Sequence, residues 1–412
     1  MRLVMVSVLL GVLLIGAASA PPPPLPPSRA EVYRQAREMT ALGRRLFFDP
    51  ALSASGKMSC ASCHDPSHAF GPPNTLPVQL GGVGLDQPGH RAVPSLKYLQ
   101  AAPQFAEHFF DSDDEADESI DNGPTGGLTW DGRVDRGSVQ AAIPLLSPYE
   151  MANPSMAAVV AKIRAARYAP DMQRTFGDAV LADPARAFAA VVKALEVFEQ
   201  DPTAFYPYSS KYDAWLAGQA TLTAQEARGL AAFNDPQRGN CDHCHISHRG
   251  LDGTPPQFTD YGLVGIGVAR NQVIPANSDP EFYDMGLCGP DRTDLANHKE
   301  YCGLFMTPTL RNVALREVFF HNGRYHTLRE AVAFYASRDT DPAHWYPRGP
   351  DGMIRKFDDL PAQYVANLNV EPPFDRHPGD PPALSDAEID DIVVFLATLT
   401  DSYRDVANRS GK

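Results

Sequence analysis

Cys60-Ala61-Ser62-Cys63-His64 and Cys241-Asp242-His243-Cys244-His245 are two copies of one pattern, C-x-x-C-H. Two thiols at that spacing can add to the vinyl groups of one porphyrin, and the histidine that follows can turn back to ligate its iron. A single copy also suits a zinc site or a thiol redox pair that happens to precede a histidine. Two copies, one in each half of the chain, point to two covalently held c-type haems. A porphyrin supplies much of the core of such a unit, so the protein around it is expected to be loop-rich.

The flanks of the two motifs repeat as well. Residues 29–48 carry helical spacing (Val32, Ala36, Met39, Leu42, Leu46) and end in Phe47-Phe48-Asp49-Pro50. Leu222 to Phe233 also reads as a helix and ends in Phe233-Asn234-Asp235-Pro236. Helix, aromatic, Asp-Pro, loop and C-x-x-C-H therefore recur in order, as an internal duplication of a cytochrome c-like unit. Further helices are predicted over 155–166, over 184–199 after Asp183, and over 386–399, where Ser385 and Glu388 form a capping box. Pro, Gly and loop residues dominate 71–94 and 246–300, and strands are expected only as short ribbons. The fold class is mainly α. Residues 29–205 form an N-terminal haem domain and 206–412 a C-terminal one, connected through Tyr206 to Tyr212.

The chain has 412 residues, enough for two cores with 43% apolar content. Residues 1–20 read as a secretory signal: Arg2, an apolar run from Leu3 to Ile15, then Ala18-Ser19-Ala20. An uncleaved anchor is the alternative, though the run is short for a membrane span. Residues 21–28 begin PPPPLPP and form a polyproline spacer. The expected address is the periplasm, with no membrane contact after cleavage. Loss of Arg2 with the leader takes the formal charge from -14 to -15. That acidity argues against nucleic acid and anionic membrane as partners; it suits a basic protein partner, or simply keeps the chain soluble. Seven of the eleven residues 111–121 are acidic, which reads as a solvated insertion or, less directly, a cation site. Four of the six cysteines belong to the haem motifs. An oxidising compartment favours a disulfide between the remaining Cys288 and Cys302, with two buried thiols as the alternative.

Several stretches together resemble the bacterial di-haem cytochrome c peroxidase family, and within it the MauG-type branch. They are LGRRLFFDPALSASGKMSCASCHDP (42–66), TWDGRV (129–134), PLLSPYEM (144–151), CDHCH (241–245), TPTLRNVALREVFFHNGRYHTLREAVAFY (307–335) and LSDAEIDDIVVFLATLT (384–400). They span about residue 40 to 400 in the family's order. The resemblance implies two cytochrome c-like domains whose haems face a common interface. It implies hydrogen peroxide as oxidant, and a small cytochrome, a cupredoxin or a protein substrate as redox partner.

A peroxidatic haem needs an iron with an open sixth position and an acid/base group above it. His64 is the candidate ligand of the first iron. Glu150 falls at the family's spacing from Trp130, and the resemblance makes it the distal acid/base, with Gln140 and Pro144 beside it. A loop glutamate is otherwise usually solvated. Trp130 reads as a core aromatic or, by resemblance, as the electron bridge between haems. Some relatives cap the first haem with a histidine from the loop after the first motif. Here Leu80 and Gly84 stand near that place, His68 is too close to His64, and His90 reads as surface or structural. The first haem is therefore expected to be open.

His245 is the candidate ligand on one side of the second iron. By resemblance the other ligand lies fourteen residues after His321, which is Tyr335. Thr327 and Glu330 form a capping box, so Tyr335 sits about two turns into a helix, where a tyrosine is ordinarily core. Met285, Met306 and Met353 are rival ligands. A phenolate oxygen should lower the haem potential relative to a thioether sulfur. The resemblance also brings one calcium ion between the domains, held by an Asn side chain and two carbonyls. The carbonyl positions are Arg316 and Val318, whereas the Asn position is Ala92, which weakens a hard-cation site.

Overall fold

The computed structural model describes residues 28–108 and 122–404. The leader, most of the proline-rich spacer and the acidic run 111–121 lie outside these residues. In the first half, α1 (Arg29–Phe47), α2 (Gly137–Leu146), α3 (Met156–Ala165), α4 (Ala169–Phe176), α5 (Pro184–Glu199) and α6 (Pro202–Phe205) surround one core. In the second half, α7 (Lys211–Leu216), α8 (Ala224–Asn234), α9 (Leu328–Ser337), α10 (Pro342–Trp345) and α11 (Asp386–Ala397) surround another. The strands are two-residue ribbons: β1 (Leu80–Gly81) on β2 (Gln87–Pro88), and β3 (Leu263–Val264) on β4 (Phe305–Met306), both antiparallel.

Capping chemistry explains where the long helices begin. The Ser28 hydroxyl accepts from the Glu31 amide at the start of α1. Asp183 caps α5, whose first residue is Pro184. Thr223 with Glu226, Thr327 with Glu330, and Ser385 with Glu388 close capping boxes on α8, α9 and α11. Five helices, α2, α4, α6, α7 and α10, go beyond those expected from the sequence. Pro144 sits inside α2, α4 is short, and α7 takes over the end of the expected connection, so Tyr212 belongs to the second core.

The duplication survives as geometry. In the first half α1 packs on α5, and in the second α8 packs on α11. Each crossing depends on a glycine. A methyl group at Gly43 would lie 2.7 Å from Phe198 Cβ, and one at Gly229 would lie 2.8 Å from Phe395 Cβ. Edge-to-face pairs then repeat: Phe47 on Phe198 with ring centroids 5.4 Å apart, and Phe233 on Phe395 at 5.3 Å, both at 62°.

Polar ties join the halves. The buried Arg91 guanidinium reaches Asp131 in its own half at 2.6 Å and Asp284 in the other at 2.6 and 2.7 Å. Asp401 accepts from Lys97 Nζ and the Tyr98 hydroxyl, both at 2.6 Å, and from Asn312 Nδ2 at 2.8 Å. Cys288 and Cys302 form the expected disulfide, with Cα atoms 4.8 Å apart. It closes the loop before β4.

Candidate functional site

Both C-x-x-C-H motifs begin with a 3-10 turn, Cys60–Ser62 and Cys241–His243. The His64 amide donates to Cys60 O at 2.9 Å, and the His245 amide to Cys241 O at 2.8 Å. Each turn therefore places two thiols and an imidazole on one side. Nδ1 of His64 lies 3.0 Å from Phe70 O, and Nδ1 of His245 lies 3.0 Å from Phe258 O. A carbonyl can only accept, so Nδ1 carries the proton and Nε2 keeps a lone pair for a metal. Phe70 and Phe258 both adopt left-handed backbone, at φ 54° and 55°, which turns these carbonyls toward the rings. Burial lowers both imidazole pKa values to about 4 and raises the thiols of Cys63, Cys241 and Cys244 to about 12. Neutral imidazoles beside protonated, enclosed thiols fit two thioether-linked haems.

Around the first motif the structure brings in the α2 segment. Gln140 and Pro144 lie one turn apart on α2 and are half-buried, on the face next to that of Ala141 and Leu145, which are buried in the core. Pro144 has no N–H, so it leaves the Gln140 carbonyl without its helical donor. The chain then turns through Ser147 to Glu150, and the Met151 amide returns to Pro144 O at 3.0 Å. The Glu150 carboxylate is close enough to raise the pKa of Cys63 and of Cys60. Its surface is accessible, yet protein surrounds it on most sides. That desolvation raises its pKa, against the pull of the Ser147 hydroxyl and the Arg133 guanidinium.

The loop after the first motif packs on the backbone of this acid. The Gly82 amide donates to Glu150 O at 2.8 Å, and a methyl group at Gly81 would lie 2.7 Å from Glu150 Cα. Leu80 is exposed, and Gly84 rests against Asp86. Both neighbouring histidines are engaged elsewhere. His68 pairs with Asp65 at 3.3 Å, and the half-buried His90 faces Asp291 at 3.2 Å.

The second motif opens into a cavity whose lining includes Cys241, Cys244, His245, Tyr335, Trp130 and Arg316. Tyr335 projects from α9 and stacks on Phe374 with ring centroids 5.5 Å apart. Burial raises its pKa, and so do the thiols of Cys244 and Cys241 close by. Its hydroxyl makes no hydrogen bond among the described residues. Of the rival ligands, Met353 is 63% exposed, and Met285 lies just before the disulfide loop, its amide donating to Gly289 O at 2.8 Å. Met306 lines the same cavity as Tyr335.

Trp130 lines the same cavity as Tyr335 and is bonded to both halves. Its Nε1 donates to Ala92 O at 2.7 Å, and its carbonyl accepts from the Met306 amide at 2.8 Å. Sequence reasoning missed the role of the Arg316 side chain and considered only its carbonyl. The guanidinium donates to Val318 O through Nε at 3.2 Å and to Val93 O through an amino group at 3.1 Å. Asp401 was also missed, because its partners lie about ninety residues or more away in sequence.

Comparison with known proteins agrees with this arrangement. Residues 37–221 match the family model of the di-haem cytochrome c peroxidases. The methylamine utilization protein MauG of Paracoccus denitrificans is 34% identical over 90% of this chain and 91% of its own. Cytochrome c551 peroxidase of Nitrosomonas europaea is 28% identical over 75% of each chain. The crystal structure of the diheme peroxidase BthA from Burkholderia thailandensis superposes with a TM-score of 0.78 at 41% identity, covering 88% of this chain and 86% of that one. The fold and the paired sites are those of a two-haem c-type enzyme. The chain belongs to the di-haem cytochrome c peroxidase family. Membership implies two c-type haems, hydrogen peroxide as oxidant and a redox partner or substrate.

Proposed function

We propose that this is an exported, periplasmic enzyme that uses hydrogen peroxide to oxidise a redox donor by long-range electron transfer. The observation that carries this reading is the inequality of the two sites. Glu150 stands beside the first cysteine pair, whereas Tyr335 stands beside the second. When bound, the haems supply the iron at which peroxide is reduced and a store for the oxidising equivalents. Glu150 holds the proton and moves it between the peroxide oxygens, a task that suits a carboxyl with a raised pKa. Gln140 helps orient the peroxide, and Pro144 shapes the wall beside it. His64 and His245 act as the iron ligands, and Tyr335 closes the second iron. Trp130 links the two halves for electrons.

The donor is a small cytochrome, a cupredoxin or a side chain of a protein substrate. The net charge of -14 favours a basic partner. The leader at residues 1–20 supports export. A second reading is peroxide removal with electrons from a small cytochrome. It is favoured if Met306, which shares the cavity with Tyr335, ligates the second iron instead. Ferric EPR of the purified holoprotein tests the main reading. One high-spin and one low-spin signal are expected; two low-spin haems would remove the open site.

A further inference from the structure

A calcium ion between the halves is part of what the resemblance implies, but the oxygen donors here do not suit one. Calcium takes six to eight oxygens, commonly including carboxylates. Ala92 stands at the side-chain ligand position, and its carbonyl already accepts from Trp130 Nε1. Val318 O, one of the two expected carbonyl ligands, accepts from Arg316 Nε at 3.2 Å. The same guanidinium crosses to the first half and donates to Val93 O at 3.1 Å. Its remaining nitrogen fills the space beside Gly71, 3.4 Å from where a Cβ would sit. Among the described residues no carboxylate pairs with Arg316, and its own positive charge would repel a divalent cation placed beside it.

We propose that the Arg316 side chain takes the place of the interdomain calcium, so that a fixed guanidinium clasps the two halves and the site holds no metal. A planar fork with several donors can bridge two carbonyls from different halves, where a lysine would offer one point charge. Burial lowers the Arg316 pKa only to about 10, so it is charged at neutral pH. The clasped segment matters to both sites. Ala92 O holds Trp130, and the Pro94 carbonyl is a second backbone partner of His64. Arg316 is therefore a positioning residue for Val93 and, through it, for His64 and Trp130.

The test uses the holoprotein and does not depend on peroxide turnover, so it stands apart from the proposed reaction. After exhaustive dialysis against EGTA, ferric EPR and visible spectra should be unchanged, and metal analysis should find no stoichiometric calcium before or after. Adding calcium chloride to about 1 mM, where extracellular calcium modules are filled, should change nothing. One calcium per chain as purified, or a spectral change that calcium reverses, overturns the proposal. Arg316→Thr should lower the melting temperature and alter the EPR line shape of the His64 haem, and Arg316→Lys should restore it only in part. An Arg316→Thr holoprotein with the wild-type melting temperature and spectra also overturns it. If that variant does not assemble, the chelation experiment on the wild type decides alone.

Discussion

The indole Nε1 of Trp130 donates to the carbonyl oxygen of Ala92 at 2.7 Å. The Trp130 carbonyl in turn accepts from Met306 in the other half. The ring is thus held at the boundary by one bond from its side chain and one from its backbone. Replacing Trp130 with Phe leaves a buried carbonyl unsatisfied and should cost about 1–3 kcal/mol of stability. Both haems should still attach. Stopped-flow absorbance after peroxide addition should show slower exchange of oxidising equivalents between the haems. An unchanged rate would remove Trp130 from the path.

Glu150 gives a pH-dependent prediction. Desolvation raises its carboxyl pKa, and the ionised form is the base. The peroxide reaction should therefore accelerate as pH rises through a value above the ordinary carboxylate range. Glu150→Gln should abolish that limb and slow the reaction by about 10²-fold or more. Rapid-mixing rates across pH check this, and a wild-type profile in the variant rejects the role.

Tyr335→Phe should perturb one EPR species and spare the other, because Tyr335 adjoins only the second cysteine pair. Tyr335→Met should raise the potential of that haem by roughly 0.1 V or more, within the span of about 0.8 V that axial ligands cover. Spectroelectrochemical titration reads the shift. If neither variant alters the low-spin signal, Tyr335 is not a ligand.

The glycines at the two helix crossings should be equally intolerant. Gly43→Ala and Gly229→Ala each drive a methyl group against a partner helix at backbone distance. Overpacking of this kind costs about 1–3 kcal/mol or more. Thermal unfolding should show a similar loss for both. A large loss for one and none for the other would mean that the two crossings are not equivalent.

Asp401 should make the junction acid-sensitive. Burial opposes its ionisation, but Lys97, Tyr98 and Asn312 hold its pKa below the usual value. A depressed carboxyl stabilises the fold above its unfolded pKa, near 4, and that contribution is lost as pH falls through the folded value. Asp401→Asn should therefore destabilise the protein at pH 7 and progressively less toward pH 3. Denaturation midpoints across that range test the slope; a deficit that does not change with pH would assign the loss to packing alone.

The sequence by itself determined the local and repeated features. Cysteine spacing marked the two haem turns, and capping residues set the starts of α5 and α11. The helix–Phe–Asp–Pro pattern announced a duplication that the α1–α5 and α8–α11 crossings reproduce. These signals were legible because each rests on contacts a few residues apart. Tertiary structure decided what the two halves do to each other. It placed Glu150 beside Cys63, turned Tyr335 toward Cys241 and Cys244, and laid Met306 against Trp130. It also sent the Arg316 guanidinium to Val93, more than two hundred residues away in sequence. Burial, desolvation and bonds between the halves arise only when distant segments meet, and no local pattern encodes them.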